Sequence, residues 1–130
     1  MFKTINAQLL RIFIGENDKL GPVNVYEKIV TLAREKKLAG ATVYKGIMGF
    51  GNTSVIHTAK VLRLSEDLPL VIEIVDTSEK IQEFLPILDD LLEKSNSGGL
   101  VTIEQANIIK YFSPLKWETI LFTTINSEYY

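Results

Sequence analysis

Two stretches of this chain repeat their apolar residues at helical spacing, and each is flanked by runs of β-branched and aromatic residues. That alternation admits few folds. Tyr26, Ile29, Val30 and Ala33 recur at i, i+3, i+4 and i+7 and so lie on one helical face. The run before them, residues 8–14 (Gln-Leu-Leu-Arg-Ile-Phe-Ile), ends at Gly15, and the run after them, residues 41–47, takes its bulk from Val43, Tyr44 and Ile47. Ile81, Phe84, Leu85, Leu88 and Leu92 form the second stripe, between the strand-like residues 68–75 and 100–111. The predicted order is strand, helix, strand, loop, strand, helix, strand.

Two crossover units joined by a loop predict an α+β fold, the ferredoxin-like βαββαβ arrangement. It has a four-stranded antiparallel sheet, both helices on one face and, here, a long loop after the second strand. Asn24 and Glu27 have the spacing of a capping box, Arg34, Lys36 and Lys37 suit the negative pole of the first helix, and Gly40 can take the left-handed residue after it. A second capping box, Asp76-Thr77-Ser78-Glu79, opens the other helix, which should kink or split at Pro86 and stop by residues 95–99. Leu, Ile, Val and Phe fall on both faces of the sheet, so self-association through the helix-free face is expected. Arg11 interrupts the first strand, either reaching the sheet rim or a neighbouring subunit, or pointing into a ligand cleft.

At 130 residues the chain suits one domain with one core. Its boundaries are expected at 1–111, with a C-terminal extension at 112–130 that holds the single tryptophan and too many apolar residues for a simple disordered tail. The extension either adds an edge strand or straps a neighbouring subunit. No apolar stretch approaches the ~20 residues of a membrane span, and the start has no long apolar signal region, so a cytoplasmic address without membrane insertion is expected. The absence of cysteine excludes disulfides, thiolate catalysis and cysteine-ligated zinc. A net charge of −2, and the lack of an aromatic-and-basic strand motif, argue against nucleic acid as a partner.

Charge is unevenly spread. Residues 40–65 hold Lys45, Lys60 and Arg63 and no acid, whereas residues 66–93 hold nine acids against Lys80 alone. That contrast fits either a solvated acidic helix beside a basic loop or a local anion site. Within the basic stretch, Gly46, Gly49 and Gly51 remove Cβ atoms where a phosphate or another backbone could approach, and outward-turned amides there could form an anion nest. Neither phosphate-loop fingerprint is present. Residues 55–64 are too mixed in period to separate a strand from an irregular excursion. Hydrogen bonds to charged groups contribute about 1.5–3 kcal/mol each. Ordering a loop costs about 1–2 kcal/mol per residue. Modest affinity coupled to loop ordering is the behaviour of a sensor. His57 is the sole histidine, which excludes multi-histidine metal sites, and no catalytic constellation surrounds it; the chain is not expected to be an enzyme.

The runs Leu10-Arg-Ile-Phe-Ile-Gly-Glu-Asn-Asp-Lys19, Ala33-Arg-Glu-x-x-Leu-Ala-Gly-Ala-Thr-Val43, Gly46-Ile-Met-Gly-Phe-Gly51, Ile56-His-Thr-Ala-Lys60, Leu64-Ser-Glu-Asp-Leu-Pro69 and Val71-Ile-Glu-Ile-Val-Asp76 carry a family likeness over residues 8–111. Together they resemble the uncharacterised, domain-of-unknown-function branch of the PII-like signal-transduction superfamily. The resemblance implies a homotrimer of ferredoxin-like subunits with ligand clefts between them. It also implies a signalling role in which Gly49-Phe50-Gly51 belongs to the long loop, residues 49–66 meet a regulated protein partner, and adenine nucleotides are the ligand class, with no cofactor required. The second phosphate loop implied by the resemblance falls at Gly98 and Gly99. Relatives carry lysine after those glycines, and this chain has Leu100. Lys45, His57, Lys60 and Arg63 are the side chains that could supply the missing charge or donors. The alternative from another class is a structural or partner-docking trimer with no small ligand.

Overall fold

A computed structural model describes residues 3–51, 56–58 and 67–112. The first strand, β1 (Ile5–Gly15), leads through the short strands β2 (Lys19–Leu20) and β3 (Val23–Asn24) into helix α1 (Val25–Glu35). Strand β4 (Thr42–Lys45) is followed by a two-residue ladder of β5 (Met48–Gly49) with β6 (His57–Thr58). Strand β7 (Pro69–Thr77), helix α2 (Ser78–Ser95) and strand β8 (Leu100–Ile108) complete the described elements. The main sheet has the order β4-β7-β1-β8, every pair antiparallel. This is the ferredoxin-like arrangement predicted from the alternation. No helix among the described residues is long and apolar enough to cross a membrane.

Alternation along β1 and β7 decides where the core sits. Leu10, Ile12 and Ile14 of β1, with Leu70, Ile72 and Ile74 of β7, pack against Val25, Ile29 and Ala33 of α1 and Ile81, Phe84, Leu88 and Leu91 of α2. The expected stripes are correct in face but rotated at their edges: Val25 and Leu91 are buried, while Tyr26, Leu85 and Leu92 are only partly so.

The helix ends differ from the sequence expectation in instructive ways. Asn24 is the N-cap of α1 but its side chain makes no capping bond; its amide lies 3.5 Å from Glu27 Oε1 instead. The left-handed residue after α1 is Lys37 (φ 61°), not Gly40. Leu38 N–H donates to Ala33 O and Lys37 N–H to Arg34 O, each at 3.0 Å, which satisfies the last carbonyls while Leu38 enters the core. At α2 the cap is Thr77, whose hydroxyl accepts from Lys80 N–H, and not Asp76. Asp76 is buried, and its carboxylate accepts from Ala39 N–H at 2.8 Å and Thr77 N–H at 2.6 Å, tying the segment after α1 to the end of β7. Helix α2 runs unbroken through Pro86. That residue lies on the exposed side, where water can serve the carbonyl it leaves without a donor. Asn96 (φ 52°), rather than a glycine, takes the left-handed position after α2. The last strand stops at Ile108, short of the expected residue 111.

Candidate functional site

One end of the sheet gathers most of the residues singled out from sequence. There β1 and β4 end and β7 and β8 begin, with Gly15 opposite Pro69, Lys45 opposite Leu70 and Phe13 opposite Leu100. Lys45, Gly46, Gly49, Phe50 and Gly51 therefore share an end with Gly98 and Gly99. They do not share an edge. β4 and β8 are the two outer strands, three strand spacings apart, or about 14 Å.

On the β4 side, Lys45 Nζ pairs with Glu16 Oε1 at 2.6 Å, and that bond and charge push the lysine pKa up. Gly46 donates its amide to Pro69 O at 2.7 Å, so this amide does not turn outward as an anion nest requires. A Cβ on Gly46 would lie 2.9 Å from Pro69 Cγ, and one on Gly49 3.1 Å from it. The close approach expected of these glycines is to the chain's own Pro69. Around Gly51 the space is open. The ladder sets Gly49 opposite His57 and Met48 opposite Thr58, which places the His57 backbone beside the glycines. Lys60 and Arg63 lie outside the described residues, as do most of residues 55–64.

On the β8 side, a cavity of about 560 Å³ lies between the end of α2 and the start of β8, with Gly98, Gly99, Asn96, Ser97 and Glu93 in its wall. Among the described residues that line it, none is Lys or Arg. A Cβ at Gly99 would come within 2.6 Å of Phe13 O, so this glycine is required by the approach of β1.

Sequence inspection missed a convergence beside Lys45. Asp18 accepts the Gly15 amide at 2.9 Å, and Asp67 accepts the Asn17 amide at 2.8 Å. A Cβ built on Gly15 would be 2.9 Å from both Asp67 oxygens and 3.1 Å from Asp18 Oδ1, so the two carboxylates meet over the missing side chain. Burial pushes the Asp18 pKa up, the Gly15 amide opposes that, and the Asp67 charge adds to it. Forty-nine residues separate the pair, and local spacing carries no signal of that contact. Among the described residues no group of three His, Asp or Glu side chains could hold a metal ion.

The helix-free face of the sheet carries the other charged cluster. Arg11 Nε donates to Glu73 Oε2 at 2.7 Å, its Nη1 pairs with Glu104, and Tyr44 hydrogen-bonds to Glu73. The bonds from Arg11 and then Tyr44 hold the Glu73 pKa below the usual carboxylate range, against a partial desolvation. Arg11 thus spans three strands on the open face. Four large apolar side chains, Ile47, Met48, Phe50 and Ile56, stand exposed around the β5–β6 ladder, Phe50 at 70%.

Comparison with known proteins follows the same lines. The family model DUF190, described as uncharacterised ACR, matches residues 7–108. A UPF0166 protein of Aquifex aeolicus is 36% identical over 107 residues, covering 82% of this chain and 97% of that protein. A UPF0166 protein of Methanocaldococcus jannaschii is also 36% identical, over 106 residues, with 82% and 94% covered. Among solved structures, CPII, a nitrogen regulatory PII-like protein from Thiomonas intermedia bound to ADP, AMP and bicarbonate, superposes with a TM-score of 0.65 at 17% identity, covering 85% of this chain and 94% of that one. At that identity the likeness is one of fold.

Proposed function

The chain belongs to the uncharacterised DUF190 family and has the fold of PII-like proteins; from that premise we propose that it is a non-enzymatic, cytoplasmic PII-like regulatory protein. It assembles as a homotrimer and binds a small anionic ligand, an adenine nucleotide, in the clefts between subunits. The observation that carries this reading is the division of the candidate site. Lys45, Gly46, Gly49, Phe50 and Gly51 lie at one edge of the sheet end and Gly98 and Gly99 at the other, about 14 Å away. A ring of copies meeting head to tail brings the β4 edge of one against the β8 edge of the next and closes a cleft that one chain leaves open. The CPII fold relative, bound to ADP and AMP, supports the ligand class.

Lys45 is already paired with Glu16, and no described residue lining the β8-side cavity is Lys or Arg. The ligand's charge is therefore met chiefly by Lys60 and Arg63, with His57 as a further donor and the residue 49–66 loop ordering around the anion. Calorimetric titration with AMP, ADP, ATP and cyclic AMP tests this. Saturable heat with at least one of them, lost in Lys60→Ala/Arg63→Ala, is the expected result. Absence of heat with the whole panel, or binding that survives the double substitution, overturns it. Light scattering should give the mass of three chains, and a monomer would remove the cleft.

A specific observation also favours the partner-docking reading. Ile47, Met48, Phe50 and Ile56 expose apolar surface where that loop leaves the sheet, which is the composition of an interface core. We therefore place the regulated protein's contact at the 49–66 loop. If no nucleotide binds, this surface alone defines a docking trimer.

A further inference from the structure

The cavity between the end of α2 and the start of β8 has the chemistry of a ring site and not of an anion site. Ile12 and Ile14 of β1, Val101 of β8 and Leu92 of α2 give it an apolar floor. Val101 pairs with Ile12 and so stands on the helix side of the sheet, yet it keeps 38% exposure where Ile12 is fully buried. The helices therefore leave this strip of β8 partly uncovered. The gap of about 560 Å³ is in the size range of small-molecule sites.

The rim is negative and rich in acceptors. Glu93 stands in the wall, and the wall continues through Asn96 and Ser97 at the C-terminal end of α2. That end of a helix carries about half a negative elementary charge. Ser97 Oγ already donates to Ser95 O at 3.4 Å, so what it offers a ligand is lone pairs. Lys94, the cation next to Glu93 in sequence, pairs instead with Asp90 at 2.8 Å, one turn back, and is not among the described residues of the wall. A phosphate placed here would meet a carboxylate and the negative pole of a helix, with no described cation in the wall to offset them. A planar ring meets neither penalty. Its faces lie against the aliphatic floor, and its N–H groups donate to the Glu93 carboxylate, a charged acceptor that makes the stronger kind of hydrogen bond.

We propose that this cavity holds the base of the nucleotide, with the adenine amine on Glu93, and that the phosphates point out of it, away from the end of α2. The inference rests on the adenine-nucleotide reading and fixes the ligand's orientation within it. Gly98 and Gly99 then border the base, where the family resemblance implies a phosphate loop. The replacement of a lysine by Leu100 after those glycines removes the charge that a phosphate needs and adds to the apolar lining that a ring prefers.

Photolabelling of the full chain with azido-ADP, the azide on the adenine ring, locates the base. Label within residues 93–101 that excess ADP competes away is the expected result. Calorimetric heat with ADP but no competable label in that segment overturns the orientation and leaves the nucleotide reading standing. Absence of both heat and competable label removes that reading, and the inference with it. Val101→Trp should fill the cavity and weaken ADP binding about tenfold or more, with unchanged far-ultraviolet dichroism. Ile103→Trp, at an equally exposed position on the same side of β8 but outside the cavity wall, should leave binding unchanged. Equal effects of the two overturn the proposal. Purine riboside monophosphate, which lacks the amine, should bind the wild type about tenfold more weakly than AMP, and Glu93→Ala should bring the two ligands level. A difference that survives Glu93→Ala overturns the contact assigned to Glu93.

Discussion

The two faces of β1 are finished differently. Leu10 and Ile12 are fully buried beneath the helices and Ile14 nearly so, whereas Arg11 between them turns to Glu73 and Glu104 on the open side. On the covered face Asp76, the one buried polar side chain among the described residues, is satisfied by backbone amides of the same chain. On the open face the charged row lies between two apolar patches, Phe13, Val71 and Leu100 towards the candidate site and Ile5, Val75 and Ile108 towards the other end. A face completed within one chain stabilises the fold by burial alone. A face left with both charge and apolar surface stabilises contacts whose register the charges select.

The largest effect should separate the two faces at neighbouring positions of β7. Ile72→Ala, on the covered face, should cost about 2–5 kcal/mol in urea unfolding at every protein concentration, because the cavity lies inside one chain. Val71→Glu, one residue away and facing out, should instead lower the association state in sedimentation. Equal, concentration-independent losses for both would break the comparison. Asp76→Ala should cost roughly 1.5–3 kcal/mol, since two amides lose a charged acceptor. Faster hydrogen exchange at Ala39 would locate the damage. Gly99→Ala should cost about 1–3 kcal/mol because its Cβ would be forced onto Phe13 O. Gly51→Ala, with open space around it, should stay within about 0.5 kcal/mol, and chemical denaturation of the two variants gives the contrast.

Much of the covered face was legible in the sequence, and little of the open one. The helical stripes and the β-rich runs between them determine each element's inward side, because burial imposes period on sequence. The cap of α2 lies one residue beyond Asp76, since the Thr77 hydroxyl offers an acceptor oxygen as the carboxylate does, and the Asp76 carboxylate is taken by an amide thirty-seven residues away. Likewise Gly46 and Gly49 carry the residue type of an anion nest, yet what they accommodate is Pro69, and only the fold brings it there. Arg11 was visible as an interruption but its partners, sixty-two and ninety-three residues distant, were not. Local spacing encodes which way a side chain points, and long-range register decides what it meets.

Acid titration gives the smallest and most discriminating test, because the charged groups with shifted pKa values lie outside the covered core. Glu73 has its pKa lowered by Arg11, so its contribution is present above the ordinary carboxylate range and is lost as pH falls through the lowered folded value. Asp18 is shifted the other way, chiefly by burial. Its protonated form is favoured in the folded chain, so the contribution is full at low pH and is lost as pH rises through the raised value. Glu73→Gln should therefore destabilise at neutral pH and match the wild type in strong acid. Asp18→Asn keeps an acceptor for the Gly15 amide and removes a carboxylate from beside Asp67, so it should be slightly stabilising at neutral pH and neutral in acid. Urea midpoints from pH 3 to pH 7 should then shift in opposite directions for the two variants. Shifts of the same sign would mean that the open-face ion row and the Asp18–Asp67 pair respond to a common unfolding event rather than to their own surroundings.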